Sequence, residues 1–183
     1  GAFTNLTQDH LDFHKTMEEY RKAKAKLFSI SDKGVINLDD DAAEAMLADA
    51  KCPCLTFSCD KDVADLTAKN LGLHADGVEF VAAVKGEMAR VKLGIPGKFS
   101  VENALAALGM VLQAGMPLAD AAKALATANG VKGRVEVVPT DTDYTVLIDY
   151  AHSPDGVENV LRAVRGFAKG RVVALFGCGG DRD

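Results

Sequence analysis

The sequence predicts an α/β fold that is interrupted by an antiparallel meander and ends in a βαβ unit. Three observations carry that expectation. Short apolar runs alternate with helical patterns from residue 15 to residue 58. Residues 65–96 switch to the two-residue period of hairpins. Beyond Gly130 and Gly133 strand and helix patterns alternate again. With 183 residues, 48% of them hydrophobic, the chain can bury a core as one large domain, or as one domain and part of another.

The elements follow in order. Residues 15–30 form a helix, with Met17, Tyr20, Lys24, Leu27 and Phe28 on one face. Residues 34–38 are a short strand. Asp39, Asp40 and Asp41 then open a helix running to about Ala50, acids at the positive end of its dipole. Residues 54–58 form a second strand. In the meander, turns fall at Asp76-Gly77 and Lys85-Gly86. Helices follow near 100–114 and 117–129. Ser100 is placed to cap the first and Gly115 to end it, and Pro117 sits near the first turn of the second. The first of these is apolar nearly all round, so it should be central and buried. Residues 145–149 form a strand, Ser153-Pro154 starts a helix with the stripe Val157, Val160, Leu161, Val164 and Phe167, and Val172–Phe176 is the expected parallel partner strand.

Composition excludes several classes. The formal charge is −5 and the basic residues are scattered, so no nucleic-acid partner is expected. No apolar run reaches the roughly 18 residues that span a membrane, and no basic-then-apolar leader is present. A soluble, cytoplasmic monomer is the expectation. Cys52, Cys54, Cys59 and Cys178 lack the paired spacings of a zinc site and read as reduced thiols. Gly1 stands where a start would have Met, and the glycine-rich end follows a strand with no return helix. Both ends therefore read as internal to a longer chain.

Several residues are candidates for chemistry. Asp9, His10, Asp12 and His14 can ligate a metal or form a polar loop with capping Asp residues. Lys24 lies on the apolar face of its helix. Its stem can be buried with the ammonium reaching water. Alternatively a buried, neutral amine can add carbon dioxide to give a carbamate, an oxygen ligand suited to Mg²⁺. The stretch Gly94–Ser100 fails as a phosphate loop, because only Ile95 and Pro96 separate its glycines and Phe99 follows Lys98. Asn103, on the helix expected to be buried, needs partners, either backbone groups or a base edge. Asp149 to Pro154 and Gly177 to Gly180 share the rim of adjacent strand ends, where α/β sheets bind ligands.

Taken together these segments resemble the Mur ligase family. The matching stretches are Thr4–His14, Tyr20–Phe28, Gly97–Ala107, Gly133–Glu136, Asp149–Gly156 and Gly177–Asp183, and the last two resemble the MurE type most. The resemblance spans essentially the whole sequence. It implies part of a central ATPase domain over residues 1–133, a mixed sheet with helices and a small antiparallel meander. Residues 134–183 would start a Rossmann-like C-terminal domain. It implies ATP and Mg²⁺ as cofactors, His10 and carbamylated Lys24 at the metal, and Asn103, Arg134, Asp149 and His152 around the nucleotide. Lys24, His10 and Arg134 are the implied catalytic residues, although Arg134 also fits a hinge salt bridge. The implied reaction adds a diamino acid, meso-diaminopimelate rather than lysine, to UDP-N-acetylmuramoyl-L-alanyl-D-glutamate through an acyl phosphate. Glu102 stands where the family often has an aromatic residue. The family's phosphate loop lies upstream of the matched stretch, so this segment alone is expected to be inactive. A folylpolyglutamate synthase-like ligase and a non-catalytic nucleotide-binding module are the alternatives.

Overall fold

The computed structural model describes residues 1–7, 14–128 and 130–177. Its centre is one mixed sheet of 6 strands in sequence order. These are β1 (Ala2–Phe3), β2 (Gly34–Asn37), β3 (Cys54–Ser58), β4 (Leu66–His74), β5 (Gly77–Val84) and β6 (Glu87–Leu93). The pairs from β1 to β4 are parallel, and β4 to β6 form the antiparallel meander. The expected meander is therefore continuous with the parallel sheet. Lys85 and Gly86, at φ 49° and 84°, make the second hairpin turn, whose left-handed pair matches the twist of the strands.

Alternation along β2 shows why the sheet needs a layer on each face. Val35 faces a core built with α3 (Lys98–Gln113) and α4 (Leu118–Leu125). Ile36 faces a smaller core with α1 (Met17–Ala25), the 3₁₀ turn Lys26–Ser29 and α2 (Ala43–Asp49). Gly109 lets α3 approach closely, because a Cβ there would sit 2.7 Å from Val35 Cγ1. A separate pair of antiparallel strands follows, β7 (Glu136–Val138) and β8 (Val146–Ile148), then α5 (Pro154–Phe167). Ser153 caps α5 by accepting from Gly156 N at 3.2 Å.

Five expectations need correction. The helix expected over 15–30 becomes 3₁₀ after Ala25, and its buried stripe is Ala25 and Phe28, with Arg21 beside them; Leu27 is 40% exposed. Arg21 sets this phase, reaching Asp49 at 2.5 Å and the Ala45 carbonyl at 3.4 Å on α2. The helix expected from Asp39 starts at Ala43, since Asp39 is engaged by Cys59 N and Asp40 is shared between Leu6 N and Ala42 N. Ser100 is not a cap. Gly97, at φ 97°, takes the cap position, and the buried Ser100 Oγ donates to Pro96 O at 2.9 Å. Asn103 is exposed, as is Met110, so α3 has an outward stripe. Residues 172–176 form no strand, and Val173, Leu175 and Phe176 are exposed; no ladder partner among the described residues takes up their backbone.

Candidate functional site

The carboxyl ends of β1, β2 and β3 lie side by side, and the loops leaving them are joined by side chains. Asn37, 5% exposed at the end of β2, donates from Nδ2 to Thr4 O at 2.8 Å and accepts at Oδ1 from Asp39 N at 3.0 Å. Asp40 accepts from Leu6 N and from Ala42 N, both at 2.8 Å. Asp39 accepts from Ser58 Oγ and from Cys59 N, the latter at 2.7 Å. These contacts fix the stretch Thr4–Leu6. Lys24 meets that stretch from α1. It is half-buried, its Nζ donates to Asn5 O at 3.2 Å, and the same nitrogen lies 5.1 Å from the Tyr20 ring centroid. Tyr20 in turn stacks on His14 at 4.7 Å. Neither of the two expected positions for the amine is met in full, because the stem is half-covered and the tip is hydrogen-bonded to backbone.

His10, Asp9 and Asp12 lie outside the described residues, as do residues 178–183 with Cys178. Among the described residues no group of three His, Cys, Asp or Glu is placed to hold a metal ion.

A second cluster stands where α3 begins. Lys98 Nζ bridges both oxygens of Asp60, at 2.8 and 2.7 Å. Burial raises the Glu102 carboxyl above the usual carboxylate range, against the pull of Lys98. Burial, with Glu102 nearby, pushes the Cys59 thiol up to about 12, and burial beside Cys52 raises Cys54 to about 11. Thiolate is the reactive form, so Cys54 and Cys59 should alkylate with iodoacetamide far more slowly at pH 7.5 than a free thiol of ordinary pKa (about 8.5). Their rates should keep rising beyond pH 9, as mass mapping would show. Rapid labelling at neutral pH would contradict the burial described.

The third group forms at the joint before β7. Asp149 accepts from Val135 N at 2.8 Å and Ala151 N at 2.7 Å, which holds Val135 at φ 43°. The Arg134 guanidinium lies 5.0 Å from the Tyr150 ring centroid, and the His152 ring packs edgewise on Tyr150 at 5.2 Å. Arg134, Asp149 and His152 are thus brought together, and Arg134 makes no salt bridge among the described residues. Among the described residues no hydrogen bond or ion pair links this group to Lys24 or to Asn103, which is open to solvent on α3. An open cavity of about 840 Å³ lies beyond the joint, between the end of β4, β8, α5 and residues 171–176. Its walls are mainly apolar (Leu73, Leu147, Leu161, Phe167) and Asp149 stands at its edge.

Sequence reasoning missed Asn37, Asp39 and Asp40 as loop clamps. The available signal was a polar run at the carboxyl end of a parallel strand. The reach of Arg21 to Asp49 had no local signal.

Comparison with known proteins bears on the family and the fold. Residues 1–111 match the Mur ligase middle domain, and residues 133–183 match the Mur ligase glutamate ligase domain. Two UDP-N-acetylmuramoyl-L-alanyl-D-glutamate–2,6-diaminopimelate ligases, from Clostridium botulinum and Caldanaerobacter subterraneus, are each 46% identical over 100% of this chain. The chain spans 38% of the length of those relatives. A solved structure of a ligase of the same name superposes with a TM-score of 0.80 at 35% identity, covering 100% of this chain and 38% of its own. MurF from Acinetobacter baumannii shares the fold, with a TM-score of 0.79 at 21% identity over 90% of this chain and 36% of its own. The parallel sheet with its meander, the helices on both faces and a family match over residues 1–111 together place this chain in the Mur ligase family.

Proposed function

We propose that the full-length protein is a MurE-type, ADP-forming ligase of the cytoplasm, adding meso-diaminopimelate to UDP-N-acetylmuramoyl-L-alanyl-D-glutamate in peptidoglycan precursor synthesis. The observation that carries the proposal is the 46% identity to diaminopimelate ligases along the whole of this chain. In this reading residues 1–133 belong to the ATP-binding domain and residues 134–183 begin the C-terminal domain, with Gly133, at φ 73°, at the joint.

The donor set fits a nucleotide. Asn103, exposed on α3, offers an amide donor and an acceptor to a base edge. Arg134 is exposed and held over Tyr150, so its N–H groups can turn to phosphate oxygens in a bidentate geometry. Asp149 keeps lone pairs beyond the two backbone N–H groups it accepts, and His152 stands beside it on the same loop. Bound ATP would supply the phosphoryl group that activates the D-glutamate carboxylate for attack by the diamino acid. Arg134 would neutralise charge on that group while the protein holds the reactants in line. For Mg²⁺ the pair we assign is His10 and Lys24 as its carbamate, a neutral nitrogen and a hard oxygen donor. The 3.2 Å contact with Asn5 leaves the Lys24 amine on the side of the loop that leads toward His10 in sequence.

Incubating the full-length protein with the UDP-muramoyl dipeptide, ATP and either meso-diaminopimelate or L-lysine tests the proposal. Phosphate release and a product heavier by one diaminopimelate residue are expected. A product with lysine alone would reassign the amine substrate. No phosphate release with either amine would overturn the ligase itself.

A further inference from the structure

We infer that Asn37 and Asp40 are positioning residues for the Lys24 carbamate, acting through the backbone carbonyl of Asn5. The inference rests on the proposed carbamate at Lys24 and adds what holds that group in one direction. Carbamylation forms a bond from the amine nitrogen to the carbon of carbon dioxide. One C=O π pair becomes carboxylate charge, and one proton leaves to water. The nitrogen then keeps a single N–H. The group is planar, through the same resonance that flattens a peptide bond, so fixing this N–H fixes where the two new oxygens point. Asn5 O, 3.2 Å from Nζ, is the acceptor placed to receive it.

That carbonyl cannot aim the carbamate unless its own peptide is held, and Asp40 holds that peptide while Asn37 holds the one before it. Asn37 Nδ2 donates to Thr4 O at 2.8 Å, one residue before Asn5. Asp40 accepts from Leu6 N at 2.8 Å, one residue after it. Both clamping groups are anchored in turn. Asn37 is 5% exposed and accepts from Asp39 N, while the other Asp40 oxygen accepts from Ala42 N at the start of α2. A side chain that acts only on stability would not need to grip the very peptide whose carbonyl Lys24 uses, or the one before it.

The test uses full-length protein equilibrated with carbon-13 bicarbonate. The carbamate signal is followed by NMR and assigned by its loss in Lys24→Ala. In Asp40→Asn the bicarbonate concentration giving half-maximal signal should rise about tenfold, as expected from losing one oriented hydrogen bond. Asp40→Ser, which can still accept from Ala42 N but is too short to span both N–H groups, should do the same. Whichever of the two keeps the parent's thermal midpoint is the one read. Asp41→Asn, at an exposed neighbour with no bond to this loop, should leave the value unchanged. Half-saturation equal to the parent's in a folded Asp40 variant overturns this inference alone. Absence of any Lys24 signal in the parent overturns the carbamate reading and this inference with it.

Discussion

Lys24→Ala in the full-length protein is expected to lower turnover at least about 10²–10³-fold, the range seen when one preorganised electrostatic group is removed from a transition-state site. The fold should survive. Lys24 is half-buried and is not among the residues of either hydrophobic core; among the described residues it donates to Asn5 O and lies over the face of Tyr20. A change of that kind on a helix surface usually stays within about 0.5 kcal/mol. Excess formate or acetate should restore part of the activity, since a small carboxylate can enter the space left by the side chain and offer the missing oxygen. Turnover equal to the parent's, at matched bicarbonate, would remove Lys24 from the mechanism.

Leu105→Ala should have the largest effect on stability. Leu105 is fully buried, on the face of α3 that packs on the sheet within the main core. Truncating a buried leucine costs about 2–5 kcal/mol, through lost burial and the cavity left behind. Against a total of roughly 5–15 kcal/mol this is a large fraction. Calorimetry should show the midpoint falling by roughly 2–4 °C for each kcal/mol lost. Met110 provides the contrast, being 45% exposed on the same helix, so Met110→Ala should move the midpoint little. Equal shifts for the two would mean that α3 is not oriented as described.

What the sequence made legible follows from where each signal resides. The meander was readable because its information is local. Val78, Phe80, Ala82 and Val84 alternate with less buried neighbours along β5, and the turns carry glycine. The parallel strands β2 and β3 were readable as short apolar runs between helices. The phase of α3 was not, because Ala104, Ala106 and Ala107 give no bulky stripe to orient it, and Asn103 faces outward as a result. The phase of α1 was hidden for another reason. It is set by Arg21 reaching Asp49, 28 residues away, and no periodicity registers such a contact. The acids after β2 suit a helix dipole and a loop clamp equally well by composition, and only geometry separates the two uses of Asp40. Residues 172–176 have strand-forming side chains, yet a strand exists only where a neighbour completes its ladder.

The sheet's split character also bears on how the chain reaches its native state. Along the meander, partners such as Val84 and Glu87 lie almost adjacent in the chain, so little entropy is lost in bringing them together. The parallel half must join distant partners, Phe3 with Ile36 and Gly34 with Cys54, each across an intervening helix. The hairpins are thus the natural seed of folding, and β3 is the first distant strand to add, against the waiting edge of β4. The strands that deliver Asn5 and Asn37 to their places come in last, so the corner proposed to hold the metal is assembled on a platform already formed.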